Sequence, residues 1–130
     1  TMSALFLRDA AVIALTAAAD YSAGRGKSVT ISGDTATLSA SATVHARGII
    51  LEGATSGNQV TVAILGAGGG TVPAKLSGTV TKGDKMQQHT DGTWITDAAT
   101  GARVVSLVAL ESGVSGDIIE AATLTPITLS

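Results

Sequence analysis

No cysteine occurs among the 130 residues of this chain, and proline and aromatic residues are nearly as scarce, with two Pro, one Trp, one Tyr and one Phe. The lack of cysteine excludes disulfides, thiolate catalysis and Cys-based zinc sites. Charge is thin as well: 14% of residues, 8 Lys+Arg against 10 Asp+Glu, for a net charge of −2. The basic footprint that a nucleic-acid binder needs is therefore missing, and no nucleic-acid partner is expected. Nor does any run approach the ~18 consecutive apolar residues of a membrane helix, so no membrane partner is expected either.

What the chain does have is small apolar mass. Hydrophobic residues make up 45% and Gly numbers 16, with a mean hydropathy of +0.40. A disordered chain has the opposite balance. One domain is expected at this length, with a core large enough to stand without staples. A chain so poor in charge must hide apolar surface somewhere, and its own copies or a partner are the simplest cover.

The stretch from Ala4 to Ala19 is apolar, and Ala17-Ala18-Ala19 imitates a signal-peptidase site. Arg8 and Asp9 interrupt it and no basic residue precedes it, so it reads as part of a protein made and kept in the cytoplasm. Leu5-Phe6-Leu7 followed by Arg8 has too few neighbours in sequence to form a core and too much apolar area to leave in water. Residues 1–8 therefore read as an N-terminal arm that docks on something, and 9–130 as a single β domain.

Short alternating, β-branched runs bounded by Gly, Asp, Asn or Ser recur along the rest of the chain. They fall at Val12–Thr16, Ser28–Ile31, Thr35–Leu38, His45–Leu51, Asn58–Leu65, Thr71–Leu76, Lys85–His89, Thr93–Thr96, Val104–Leu110 and Ile118–Leu129, the last broken by Pro126. Asp9–Ala19 is Ala-rich with Asp9 as a possible N-cap, but Val12, Ile13 and Thr16 favour strand. Ile49, Ile50 and Leu51 are too continuously apolar for a strand with one wet face. Pro73 removes a ladder donor and points to an edge strand. Asp91-Gly92 between two extended runs marks a hairpin. The pattern predicts an all-β fold, a small barrel or sandwich of about eight or nine short strands.

Motifs that could carry chemistry are weak. Gly26-Lys27-Ser28 has the tail of a phosphate-binding loop, but the first glycine of that motif is replaced by Tyr21 and a strand follows where a helix is required. Gly66–Gly70 reads as a strand connection, though its amides would suit an anion. His45 and His89 are the only side chains fit for acid/base work near neutral pH, and Asp84, His89 and Asp91 cluster in sequence. Capping of turns is the ordinary use of such Asp residues, so no catalytic residue, metal ligand or cofactor is assigned. Trp94 is a candidate interface anchor, with burial in its own domain as the competing reading.

From Ala46 onward the chain resembles the head decoration, or capsid cement, proteins of tailed bacteriophages. The resemblance rests on Arg47-Gly48-Ile49-Ile50-Leu51-Glu52-Gly53-Ala54 and Gly57-Asn58-Gln59-Val60-Thr61-Val62-Ala63-Ile64-Leu65-Gly66, then Leu76-Ser77-Gly78-Thr79-Val80-Thr81-Lys82-Gly83-Asp84-Lys85-Met86. Asp91-Gly92-Thr93-Trp94, the run Val104–Glu111 and Gly116-Asp117-Ile118-Ile119-Glu120 complete the order. It implies a non-enzymatic virion protein, commonly a trimer, that binds the major capsid protein on the outer surface of the expanded head and stabilises it. Leu5, Phe6, Leu7 and Arg8 are then candidate capsid contacts. The alternative is a carbohydrate-binding or adhesin-like β-module, which would want exposed aromatic rings.

Overall fold

Two adjacent isoleucines explain how the strands assemble. In a strand successive side chains point to opposite faces, so a run such as Ile49-Ile50 is stable only if both faces are covered. The structure, a computed structural model, describes residues 12–39, 41–43, 46–65 and 71–129. These form β1 (Val12–Ala17), β2 (Ser28–Ser32), β3 (Thr35–Leu38), β4 (Gly48–Glu52), β5 (Gln59–Ile64), β6 (Thr71–Lys75), β7 (Lys85–Gln88), β8 (Trp94–Thr96), β9 (Arg103–Ala109) and β10 (Ile118–Leu129). The fold is all-β: β1 to β5 close into a barrel in the order β1-β3-β2-β4-β5, and the other strands form a sheet ordered β6-β10-β9-β7-β8. Within Asp9–Ala19 the described residues form strand over Val12–Ala17 and a bend at 18–19, with no helix among them. No helix among the described residues is long and apolar enough to cross a membrane.

Two cores result. One fills the barrel with Leu15, Ala17, Tyr21, Val29, Ala36, Ile50, Val60 and Val62. The other lies between the barrel wall and the second sheet, where Ile49 and Ala63 meet residues such as Val72, Leu76, Met86, Trp94 and Leu107. Strands β4 and β5 are thus a wall shared by both cores. Barrel and sandwich, alternatives in the sequence, occur together here.

The strand pairs of the second sheet are all antiparallel, and a parallel bridge, Leu76 with Trp94, joins the end of β6 to β8. Pro73 does sit on an edge strand, β6, opposite Glu120. The final run continues as one strand of 12 residues, against the break expected at Pro126. Its register on β9 shifts between Thr123 and Ile127, which absorbs the missing donor as an irregularity instead of ending the strand.

Two close approaches lock barrel to sheet. Gly26 donates its N–H to Ile50 O (2.8 Å) and accepts from Lys75 N (2.9 Å), which bridges β4 to β6. Gly92, at the tip of the β7–β8 turn, donates to Ser39 O (2.8 Å) and accepts from the Ser28 hydroxyl (3.2 Å). Both glycines have positive φ, 84° and 74°. A Cβ would stand 2.7 Å from Lys75 N in the first case and 2.7 Å from Ser28 O in the second, so any other residue would push the two sheets apart. Asp91 beside Gly92 also has positive φ (56°), and Thr93 N–H returns to Thr90 O at 3.2 Å. This is the sign pattern of the primed hairpin turn that Asp-Gly favours.

Candidate functional surface

The side chains singled out for chemistry are spread out and tied to structure. Asp84 Oδ2 accepts from Thr81 N–H (2.9 Å) and the Thr96 hydroxyl (3.0 Å), which caps the turn before β7. His89 and Asp91 lie beyond the other end of that four-residue strand. At ~3.3 Å per residue the length of β7 separates them from Asp84, so the suspected Asp84/His89/Asp91 cluster is not assembled. His89 is exposed, with Nδ1 3.2 Å from Ser77 Oγ. His45 and Gly66–Gly70 lie outside the described residues.

Gly26-Lys27-Ser28 leads into β2, where Ser28 is fully buried. Its hydroxyl lies 3.2 Å from Gly92 O and 3.4 Å from Gln88 Oε1, and so faces the neighbouring sheet rather than a phosphate. Tyr21, in the place of the motif's first glycine, is buried in the barrel core and accepts Leu38 N–H on its phenolic oxygen at 3.2 Å. The resemblance to a phosphate loop therefore stops at the sequence.

One ion pair, Arg103 with Asp97, occurs among the described residues. Arg103 also donates to Gly101 O at 2.9 Å, and Asp97 Oδ1 accepts Ala99 N–H at 3.0 Å, so the pair fixes the β8–β9 loop, in which Ala99 has φ 64°. The Arg103 hydrogen bond is the largest influence holding the Asp97 carboxyl below the usual carboxylate range, helped by the Ala99 amide and opposed by partial burial. Nothing in the six-residue spacing announced this contact.

Large apolar side chains on the surface are the remaining candidates. Leu110 (39% exposed), Val114 (55%) and Ile118 (41%) cluster at the β9–β10 connection, while Val12 and Ile13 start β1 and Ile127 lies late in β10. In the sequence Leu110 and Ile118 read as strand residues and not as surface. The phase of alternation held the signal, because Ala109 and Ile119 take the inward positions. Leu5, Phe6, Leu7 and Arg8 lie outside the described residues. Trp94 is 0% exposed inside the second core, so of its two readings burial in its own domain is what the structure has, and its ring offers no surface to a partner. Among the described residues no three His, Cys, Asp or Glu side chains converge as metal ligands, and no cavity opens.

A closed five-stranded barrel that shares a wall with an antiparallel sheet defines the class of fold. The same architecture occurs in the N base of the head fiber gp8.5 of bacteriophage phi29, with a TM-score of 0.65 over 88% of this chain and 93% of that one. Identity between the two is 15%, so the likeness is one of fold. No family model matches the chain, and no curated protein matches its sequence.

Proposed function

We propose that the chain is a structural protein of a tailed-phage virion, a decoration or cement protein that binds the outside of the expanded head and stabilises it. The observation that carries this reading is the fold shared, nearly end to end, with a protein described as the base of a phage head fiber. Composition supports it independently. A charge-poor chain rich in Ala, Val and Thr can bury surface on a shell with little desolvation cost. The major capsid protein is the partner, reached after synthesis in the host cytoplasm, and no catalytic step is involved. Three copies associate, since interfaces of about 800 Å² per partner would absorb the surplus apolar surface.

Purified protein added to expanded and unexpanded heads of the phage that encodes it tests the reading. It should co-sediment with expanded heads and raise the temperature at which they release DNA. Heads that neither bind it nor change their release temperature would refute the proposal. The carbohydrate-module alternative gains no support, because Tyr21 and Trp94, the aromatic residues among those described, are both buried.

A further inference from the structure

The exposed apolar side chains at the β9–β10 end form one patch. Leu110 N–H donates to Glu120 O at 3.0 Å, which sets these residues side by side on neighbouring strands. Ala109 and Ile119 point into the core (1% and 3% exposed), so Leu110, Ile118 and Glu120 share the outer face. Val114 joins them from the turn before β10, where its N–H donates to Asp117 Oδ2 (2.9 Å) and its carbonyl accepts Asp117 N–H (3.0 Å). Glu111, Asp117 and Glu120 are exposed around the patch. Lys75, cross-strand from Ile118, and Lys82, whose amide donates to Ser112 Oγ, lie at its margin. None of these charges is in an ion pair among the described residues.

An apolar patch with a carboxylate set among its side chains calls for a ligand that is apolar with a cation beside it. Leu5-Phe6-Leu7-Arg8, ahead of β1, is such a segment. We propose that this segment of one copy docks on the Leu110–Val114–Ile118 patch of a second copy, with Arg8 against Glu120. The direction of the strands favours a second copy over the same one. Val12 starts β1 opposite Ala63, near the end of β5 from which the chain passes to Thr71 and β6. The patch lies at the other end of β6, where Lys75 faces Ile118. Val12 and the patch thus lie toward opposite ends of β6, a separation that a segment of a second copy does not have to span. Contact of one copy's arm with the next copy's sheet is head-to-tail and closes into a ring if the rotation allows.

The test reads self-association in solution and is independent of head binding. Sedimentation of the full chain should show association that Phe6→Asp and Ile118→Asp each weaken roughly tenfold or more. Mixing these two variants should restore a contact that neither makes alone, since each supplies the half the other lacks. Arg8→Glu and Glu120→Arg should each weaken association and their combination in one chain should recover it, which keeps the test alive if an apolar variant misfolds. Three results would overturn the proposal: a native chain that stays monomeric at the highest concentration reached, variants that associate unchanged, or a mixture of the two Asp variants that forms no complex, the outcome expected if the segment packs on its own domain.

Discussion

Ile49 and Ile50 are neighbours on β4, both 0% exposed, yet their side chains lie in different cores, Ile49 against the second sheet and Ile50 inside the barrel. The wall they belong to should make one cooperative unit of the two sheets. Truncating either to Ala should cost about 2–5 kcal/mol, the usual range for a fully buried isoleucine. The lone Trp lies in the sheet core and the lone Tyr in the barrel core, so fluorescence of Trp94 and absorbance of Tyr21 report the two halves separately. Urea titrations of the native chain, Ile49→Ala and Ile50→Ala should give coincident transitions by both probes. Separate midpoints would show that the shared wall does not couple the cores.

The glycine contacts between barrel and sheet predict a second kind of loss. Gly26→Ala and Gly92→Ala each place a side chain at positive φ, worth about 1–2 kcal/mol of strain, before any cost of separating backbones. The 2.7 Å approaches that a Cβ would make at these two positions are to main-chain atoms, which cannot swing aside. Total destabilisation above about 2 kcal/mol is expected for both. A loss below about 1 kcal/mol at either site would mean that the seam yields easily.

Strand positions were legible because alternation and turn residues are local signals: Thr35–Leu38 is the same in sequence and structure, and Asp91-Gly92 turns the β7–β8 hairpin. The continuous apolar run at Ile49-Ile50-Leu51 even announced a strand covered on both sides. Partnership was not legible. The parallel pairing of Thr16 with Thr35 and the antiparallel pairing of Ile13 with Val62 close the barrel through contacts far apart in sequence, which periodicity does not encode. The surface patch was missed for a different reason. Leu110 and Ile118 each border a buried apolar residue, and hydrophobicity alone does not tell the inward position from the outward one.

Trp94 illustrates how burial and hydrogen bonding separate. Its ring is 0% exposed, and its indole Nε1 has no hydrogen-bond partner among the described residues. Leaving a donor unpaired in the interior costs about 1–3 kcal/mol. Trp94→Phe removes that donor along with some packing volume, so the two effects oppose each other and the net loss should stay under about 2 kcal/mol. Trp94→Ala removes the same donor but opens a far larger cavity and should cost about 3–5 kcal/mol. Denaturation followed by far-UV circular dichroism, which does not depend on the Trp, distinguishes the cases. Equal losses would show that the indole N–H is satisfied in solution.

The Arg103–Asp97 pair predicts an acid-sensitive contribution whose sign follows from the direction of the shift. Folding holds the Asp97 carboxyl below the ordinary carboxylate range, chiefly through the hydrogen bond from Arg103. The folded state therefore binds this proton less readily than the unfolded chain, and the pair stabilises fully above the unfolded carboxylate's pKa. That contribution fades as pH falls from there through the lowered folded value, and no loss is expected between neutral pH and the ordinary carboxylate range. The size of the effect is set by exposure. Arg103 is buried, with 8% of its side chain accessible, while Asp97 at 21% still meets water. Exposed pairs contribute up to about 1 kcal/mol and breaking buried ones costs about 3–5, so Asp97→Asn should cost about 1–3 kcal/mol at neutral pH. Arg103 would keep its bond to Gly101 O in that variant and the loop should stay folded. Unfolding free energies of native and Asp97→Asn protein, measured from neutral pH into the acid range, should converge as the carboxylate protonates. A gap that stays constant across that range would mean that the charge of Asp97 contributes nothing and that only its geometry matters.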